Sequence, residues 1–309
     1  MSLTRPIDGG WLAQRRAADS QARDASVPLV RQLAERIGPT SQLSFVDLGA
    51  GTGANPAWLA PRVHQAFLDR HGAAPDQHWL LLDHDPDLLA ARDVGQIAGV
   101  ATCRSMVASV EGFAAAVAGQ TRPVVVTCSA LLDLLTGSQI QQLVEGVTHC
   151  ADAALLALTV TGDVRLRPDH HDDNLIWSIF NDHQQRALAA ASDTHQQPML
   201  HTDGADSSLA GPRGWEVAAA ALGKGGWQTR ERHTPWTLGP AQTSLLRRWL
   251  GERVEAALEH LTEADPRSQT VRAWLADRLG QIERGELQAE VGHVDGLALP
   301  SPAHPSRPT

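Results

Sequence analysis

The feature that most constrains this chain is the apolar run Leu43-Ser44-Phe45-Val46-Asp47-Leu48 followed by Gly49-Ala50-Gly51-Thr52-Gly53-Ala54-Asn55. An apolar run with an acid near its carboxyl end reads as a buried strand. Three glycines at alternate positions then supply backbone that turns tightly and lets a ligand come close. A helical pattern begins at once. The amino terminus of such a helix points unpaired N–H groups and a positive dipole end at whatever rests there. An anionic group of a nucleotide-like cofactor is the natural occupant.

The rest of the chain repeats the same alternation. Trp11 to Ile37 is amphipathic, as one helix or two, and Gly38-Pro39 ends it. A helix is expected from Ala54 to about Arg70, then a strand Trp79-Leu80-Leu81-Leu82 closed by Asp83-His84-Asp85-Pro86. Pro86 suits a first helical turn with Asp85 as its cap. A weaker strand near Gly99 to Cys103 precedes a helix from Val107 to Val117, and Pro123 to Cys128 is a β-branched strand. Ser138 caps the next helix, and Ala154 to Val160 is the next strand. Strands alternating with helices imply a parallel sheet covered on both faces.

The pattern then changes. Residues 162–212 are polar, with one helical piece around Leu175, Ile176, Ile179 and Phe180. A helix at 213–222 and a strand at 226–230 resume the sheet, two apolar-striped helices cover 241–284, and a last strand runs from Leu287 to Leu299. The expected organisation is an N-terminal helical cap over 1–40 and one α/β domain over 41–300. That domain carries a polar substrate-side insertion (162–212) and a helical insertion (241–284), and a proline-rich disordered tail follows at 301–309.

Composition narrows the chemistry. A net charge of −9 argues against a protein that tracks nucleic-acid backbone. No run of 18 apolar residues and no secretory h-region is present, so no membrane partner and a cytoplasmic location are expected. The three cysteines have no C-x-x-C spacing, which suggests neither disulfides nor zinc. There is no tyrosine and Lys224 is the only lysine, so acid–base work falls to His, Asp or Glu. His170-His171-Asp172-Asp173 lacks a spaced second pair of ligands, and adjacent histidines diverge on a regular element, so no metal site is expected.

Two cofactors compete for the glycine loop. It satisfies G-x-G-x-x-(G/A) with Ala54 last, a weak dinucleotide signal. Asp47 two residues before the first glycine, with Asp83 ending the next strand, gives instead the (D/E)-x-G-x-G-x-G pattern and second acid of S-adenosylmethionine methyltransferases. The loop, Trp11-Leu12 with Arg15 and Asp19, and Thr127 to Leu134 all carry a resemblance to bacterial class I, Rossmann-like, S-adenosylmethionine-dependent methyltransferases. Asn181-Asp182-His183-Gln184, Trp236-Thr237-Leu238-Gly239 and Gly292 to Leu299 extend it.

The resemblance implies a three-layer α/β/α fold, with a mostly parallel seven-stranded sheet whose last strand is antiparallel. It implies methyl transfer from S-adenosylmethionine to a small molecule. N–H groups around Gly49, Ala50, Gly51 and Gly53 would take the methionine carboxylate, Asp47 its ammonium, and Asp83 the ribose hydroxyls. Asn55, His84, Ser105, Met106 and Ser129 would complete the cofactor side, although Cys103 to Met106 lacks the acid often placed near the adenine amine. Arg15, Asp19 and Asn181 would face the acceptor, with His183 or Asp133 as base. On the residues alone, Arg15 and Asp19 could equally be a surface ion pair four apart on a helix, and Asp133 a solvated loop acid. Two other readings stand beside this one: an NAD-dependent oxidoreductase, and a non-catalytic S-adenosylmethionine-binding partner protein.

Overall fold

A computed structural model describes residues 8–93, 95–110, 112–184, 208–261 and 264–302. The middle of the 162–212 insertion and nearly all of the expected 301–309 tail lie outside the described residues.

Among the described residues eight strands form one sheet: β1 (Gln42–Leu48), β2 (Asp76–Asp83), β3 (Val100–Val107), β4 (Val124–Ser129), β5 (Ala153–Arg167), β6 (Trp227–His233), β7 (Trp236–Leu238) and β8 (Gln288–Pro300). Their order is β3-β2-β1-β4-β5-β8-β6, with β7 also on β8. The pairs among β1 to β5 are parallel, and β8 runs antiparallel between β5 and β6. Sequence reasoning expected seven strands. The eighth arises because Pro235 has no N–H to give the ladder, so the edge beside β8 breaks into β6 and the short β7.

Among the described residues ten helices surround the sheet: α1 (Gly9–Arg23), α2 (Val27–Ile37), α3 (Ala54–His71), α4 (Pro86–Ala90), α5 (Phe113–Ala118), α6 (Gly137–Cys150), α7 (Asp173–Gln184), α8 (Gly214–Lys224), α9 (Thr243–His260) and α10 (Arg267–Glu283). Leu29 and Leu33 of α2 and Phe67 of α3 pack on Phe45 and Trp79, whose rings stack 4.3 Å apart. On the opposite face, Phe113, Leu143 and Leu222 bring α5, α6 and α8 onto Val46 and Val126. Each such side chain withdrawn from water contributes about 2 kcal/mol, so both faces hold the strands' carboxyl ends rigidly.

A third core lies beyond those ends. The strand expected to stop at Val160 continues to Arg167, because Val164 and Leu166 pair with Val291 and Ala289 of β8 and pack inward. This overhang, with β7, carries α1, α7, α9 and α10, knit by Trp11, Trp177, Trp236, Trp249 and Trp274. Two boundaries also move. The helix expected from Val107 starts at Phe113, because Val107 still pairs with Asp83 in β3. Thr136, not Ser138, caps α6, in a capping box with Gln139.

Candidate functional site

Strand β1 ends at a turn in which Gly49, Gly51 and Gly53 all have left-handed backbone, with φ of 66°, 53° and 81°. A Cβ at Gly49 would lie 3.1 Å from Leu131 and one at Gly51 3.0 Å from Leu12 of α1. Larger residues there are excluded by both backbone and space. Ala50 donates its N–H to the Leu82 carbonyl (3.0 Å) and Gly53 to that of Ala50 (2.9 Å), while Gly51 donates to Asp83 Oδ2 (2.7 Å). Those N–H groups, expected to cradle a carboxylate, are spent holding the turn itself.

Asp83, at the end of β2, also accepts the Asp85 N–H (3.0 Å) and sits 3.1 Å from His84 Nδ1. Burial pushes its carboxyl up, but the His84 and backbone N–H bonds outweigh that and hold it below the ordinary range. The same bond draws the His84 imidazole above its usual value. Asp85 caps α4 with its own side chain, so Asp83 is not needed there. Beside it an apolar slot opens, lined by Leu48, Gly49, Ala108, Val110 and Leu131.

Asp47 is buried. Its Oδ1 accepts from Asn55 Nδ2 (2.5 Å) and Thr127 Oγ1 (2.6 Å), while Oδ2 has no partner among the described residues. Burial raises its pKa to about 6, against those hydrogen bonds and the field of Arg23. Arg23 closes α1 over the turn and is only 2% exposed. Its Nε points to Asp295 of β8 (3.4 Å), its Nη1 donates to Asn55 Oδ1 (2.7 Å), and its guanidinium lies 4.1 Å over Trp58. Among the described residues Nη2 is left without a partner. Asp295 in turn accepts from the Leu158 N–H (2.8 Å) and Thr234 Oγ1 (3.0 Å). One hydrogen-bonded chain thus joins β4, β1, α3, α1 and β8, and it ends in two unsatisfied buried atoms of opposite charge. Folded proteins leave few such atoms.

No protein-family model matches the sequence, and a search of curated proteins finds no match. The architecture does have solved counterparts. A cyclopropane-fatty-acyl-phospholipid synthase-like protein from Lactobacillus casei ATCC 334 superposes with a TM-score of 0.50 at 14% identity, over 95% of this chain and 94% of that one. This is the class I methyltransferase fold. The YcgJ protein of Bacillus subtilis is also similar, with a TM-score of 0.47 and 13% identity over 89% of this chain and 98% of that one. Magnesium protoporphyrin IX methyltransferase from Synechocystis PCC 6803, solved with bound SAH, gives 0.43 and 12% over 96% and 90%.

In this methyltransferase fold the backbone is kinked just past the end of β4 and again midway along β5. Ala130, after Ser129, and Leu158 have φ of 54° and 52°, uncommon for residues with side chains. Beyond them a second group of polar side chains gathers. Arg15 forks onto Asp19 (2.8 and 3.1 Å), and Asp19 also accepts from Trp236 Nε1 (2.9 Å). With side-chain exposures of 13% and 15%, this pair is an inner wall rather than a surface bridge. Asp133, in the turn Leu132–Leu134, has a buried Oδ1 without a partner, and burial raises its pKa. His293 is neutral, its pKa pushed down to about 3 by burial and by Arg15, and its Nδ1–H donates to the Val291 carbonyl (2.9 Å). Asn181 of α7 lies against Gly162 of β5.

Three expectations change at this point. His183 is buried between α7 and α9, 3.3 Å from Glu259 with His260 edge-on. The imidazole pins two helices. Ser105 and Met106 do not follow the third strand but lie within it, opposite Leu81 and Leu82, because β3 runs on to Val107. The residues that reach the apolar slot are Ala108 and Val110. The His170 and His171 rings do not diverge but stack 4.3 Å apart, and with Asp172 they could gather three ligating atoms. However, His170 Nδ1 already accepts the Asp172 N–H (3.2 Å), and Asp277 of α10 lies 3.6 Å from its Nε2. The cluster starts α7 and ties it to α10.

Sequence reasoning missed Arg23 altogether. A signal was present, since Arg15, Asp19 and Arg23 continue one four-residue spacing along a single helix face.

Proposed function

We propose that this protein is an S-adenosylmethionine-dependent methyltransferase acting on a small molecule. The observation that carries the reading is the pair of unsatisfied buried atoms at the glycine turn, Asp47 Oδ2 and Arg23 Nη2. An α-amino acid head offers an ammonium for the first and a carboxylate for the second, and burial makes both interactions strong. Asp83, held ionised at the end of β2, suits a pair of ribose hydroxyls. Ala108, Val110 and Leu131 give the apolar wall beside Asp83 against which a flat base would lie, once the narrow slot between them widens. Amino acid head, ribose and base in that order describe S-adenosylmethionine. The dinucleotide reading has no comparable place for a zwitterion.

S-adenosylmethionine held there would supply an electrophilic methyl group to an acceptor heteroatom, its sulfur keeping the electron pair of the carbon–sulfur bond that breaks. The protein's part is to position, exclude water and take a proton. Leu12 and Leu131 cover the glycine turn. Asp133 stands ready to accept the acceptor's proton, and its raised pKa makes it a better base near neutral pH than an exposed aspartate.

Calorimetric titration with S-adenosylhomocysteine tests this directly. Binding in the micromolar range is expected. An absence of heat at millimolar ligand would end the proposal.

A further inference from the structure

We propose that His170, His171 and Asp172 form a binding site for a divalent transition-metal ion of the zinc type, built from none of the residues at the glycine turn. The three lie between β5 and α7, on no regular element. Adjacent histidines on a strand or helix point apart, but here the two imidazoles stack 4.3 Å apart with their planes 20° from parallel. One ligating atom from each of the three residues falls within 4.8 Å of the others.

The separations suit a small ion. Zinc holds nitrogen and oxygen ligands at about 2.0 to 2.1 Å, which puts neighbouring ligand atoms of a tetrahedral site roughly 3.3 Å apart. His171 Nε2 lies 3.1 Å from Asp172 Oδ2, and His170 Nδ1 lies 3.9 Å from the same oxygen. The His171 side chain is 83% exposed, so its ring is free to turn toward a shared ion.

His170 already presents the nitrogen that a metal needs. Its Nδ1 accepts the Asp172 N–H (3.2 Å), so the lone pair stands on Nδ1 and the proton on Nε2. Nε2 faces Asp277 Oδ2 of α10 at 3.6 Å. A carboxylate behind the second nitrogen is the usual outer partner of a metal-bound histidine, which it orients and makes a stronger donor. The ion would take over the Nδ1 lone pair from a long N–H···N contact.

The backbone around the three residues is fixed from both sides. The buried Arg278 donates to the Pro168 carbonyl (2.6 Å) and to Asp173. Asp173 also accepts the Trp274 indole N–H (2.8 Å) and the His170 N–H (3.0 Å). Asp173 and Arg278 thus match each other's charge, whereas Asp172 and Asp277 pair with no arginine or lysine among the described residues. Two carboxylates beside two imidazoles leave negative charge where a dication would sit. Magnesium and calcium take six or more ligands, all oxygen, which this set does not offer. Two imidazoles and a carboxylate suit zinc, nickel or copper, and three protein ligands leave a fourth position to water.

The test titrates zinc chloride into the full chain, free of any affinity tag and stripped with a chelator, and reads the heat. One ion per chain is expected at micromolar affinity, with no binding of magnesium at the same concentrations. His171→Ala, at an exposed position, should weaken zinc about a hundredfold, and Asp172→Asn by a similar factor. Asp277→Asn should weaken it about tenfold, through the orientation of His170 alone. His149→Ala, an exposed histidine on α6, should leave the affinity unchanged. Unchanged thermal unfolding in metal-free buffer shows that each variant is folded. No heat with zinc at about 100 μM, equal binding of magnesium, or binding that survives His171→Ala would overturn the site. None of these results bears on the methyltransferase reading, which S-adenosylhomocysteine binding tests by itself.

Discussion

Replacing Asp47 by asparagine should make the ligand-free protein more stable and its cofactor binding worse. Burial lifts the Asp47 carboxyl from an ordinary 3.8 to about 6. Two units correspond to about 3 kcal/mol by which the fold disfavours the ionised form. The sign follows from linkage. The folded pKa lies above the unfolded one, so this group's contribution to stability is fully present below 3.8 and is lost as pH rises through about 6. Asparagine keeps an oxygen for the Asn55 and Thr127 bonds and removes the charge. At pH 7 the ligand-free variant should therefore gain up to about 3 kcal/mol in urea unfolding. The ammonium that would have met Oδ2 now meets an amide N–H, and affinity for S-adenosylhomocysteine should fall about a hundredfold, the same energy seen from the other side. In the unmodified protein that affinity should be flat above pH 7 and about tenfold lower at pH 5, where only a tenth of Asp47 is ionised. The variant should show no such slope. Calorimetry across pH decides the matter. A flat profile in the unmodified protein, or a variant less stable than its parent, refutes the assignment.

Arg23→Met removes the partner of a buried carboxylate and should cost about 3 kcal/mol or more of unfolding free energy, part of which Arg23→Met with Asp295→Asn should recover. Equal losses in single and double variants would show that the pair is not coupled. Asp83→Ala should weaken S-adenosylhomocysteine about a hundredfold, since two charge-assisted hydrogen bonds are lost, and calorimetry reads this directly. Gly296→Ala drives a methyl group into the Trp215 indole, where no space exists. It should lower stability by about 3 kcal/mol by thermal unfolding.

What the sequence displayed and what it hid differ in kind. The glycine turn and the strands around it were legible because short-range chemistry dictates them: an apolar run, three residues free to take left-handed φ, a helix start. Asp85 as a cap was legible for the same reason. The second half of β5 was not, because Val160 to Arg167 is polar on alternate residues and becomes a strand only when β8 lies beside it. Arg23 and Arg253 were hidden more deeply. An arginine on a helix is by prior a solvated one; only the four-residue spacing from Arg15 and Asp19 marks Arg23, and nothing nearby in sequence distinguishes Arg253 from Arg31 or Arg272. Both are set apart by residues far along the chain: Asn55, Trp58 and Asp295 around Arg23, Phe180 around Arg253. His183 erred the other way. It sits in a polar run that resembles a site, and tertiary packing assigned it to Glu259. Local pattern revealed the glycine turn, which the backbone builds. The polar side chains beyond it are brought together from distant parts of the chain by α1, α7, α9 and β8, so only the fold shows which of their atoms, Asp47 Oδ2, Arg23 Nη2 and Asp133 Oδ1 among the described residues, stand buried without a partner.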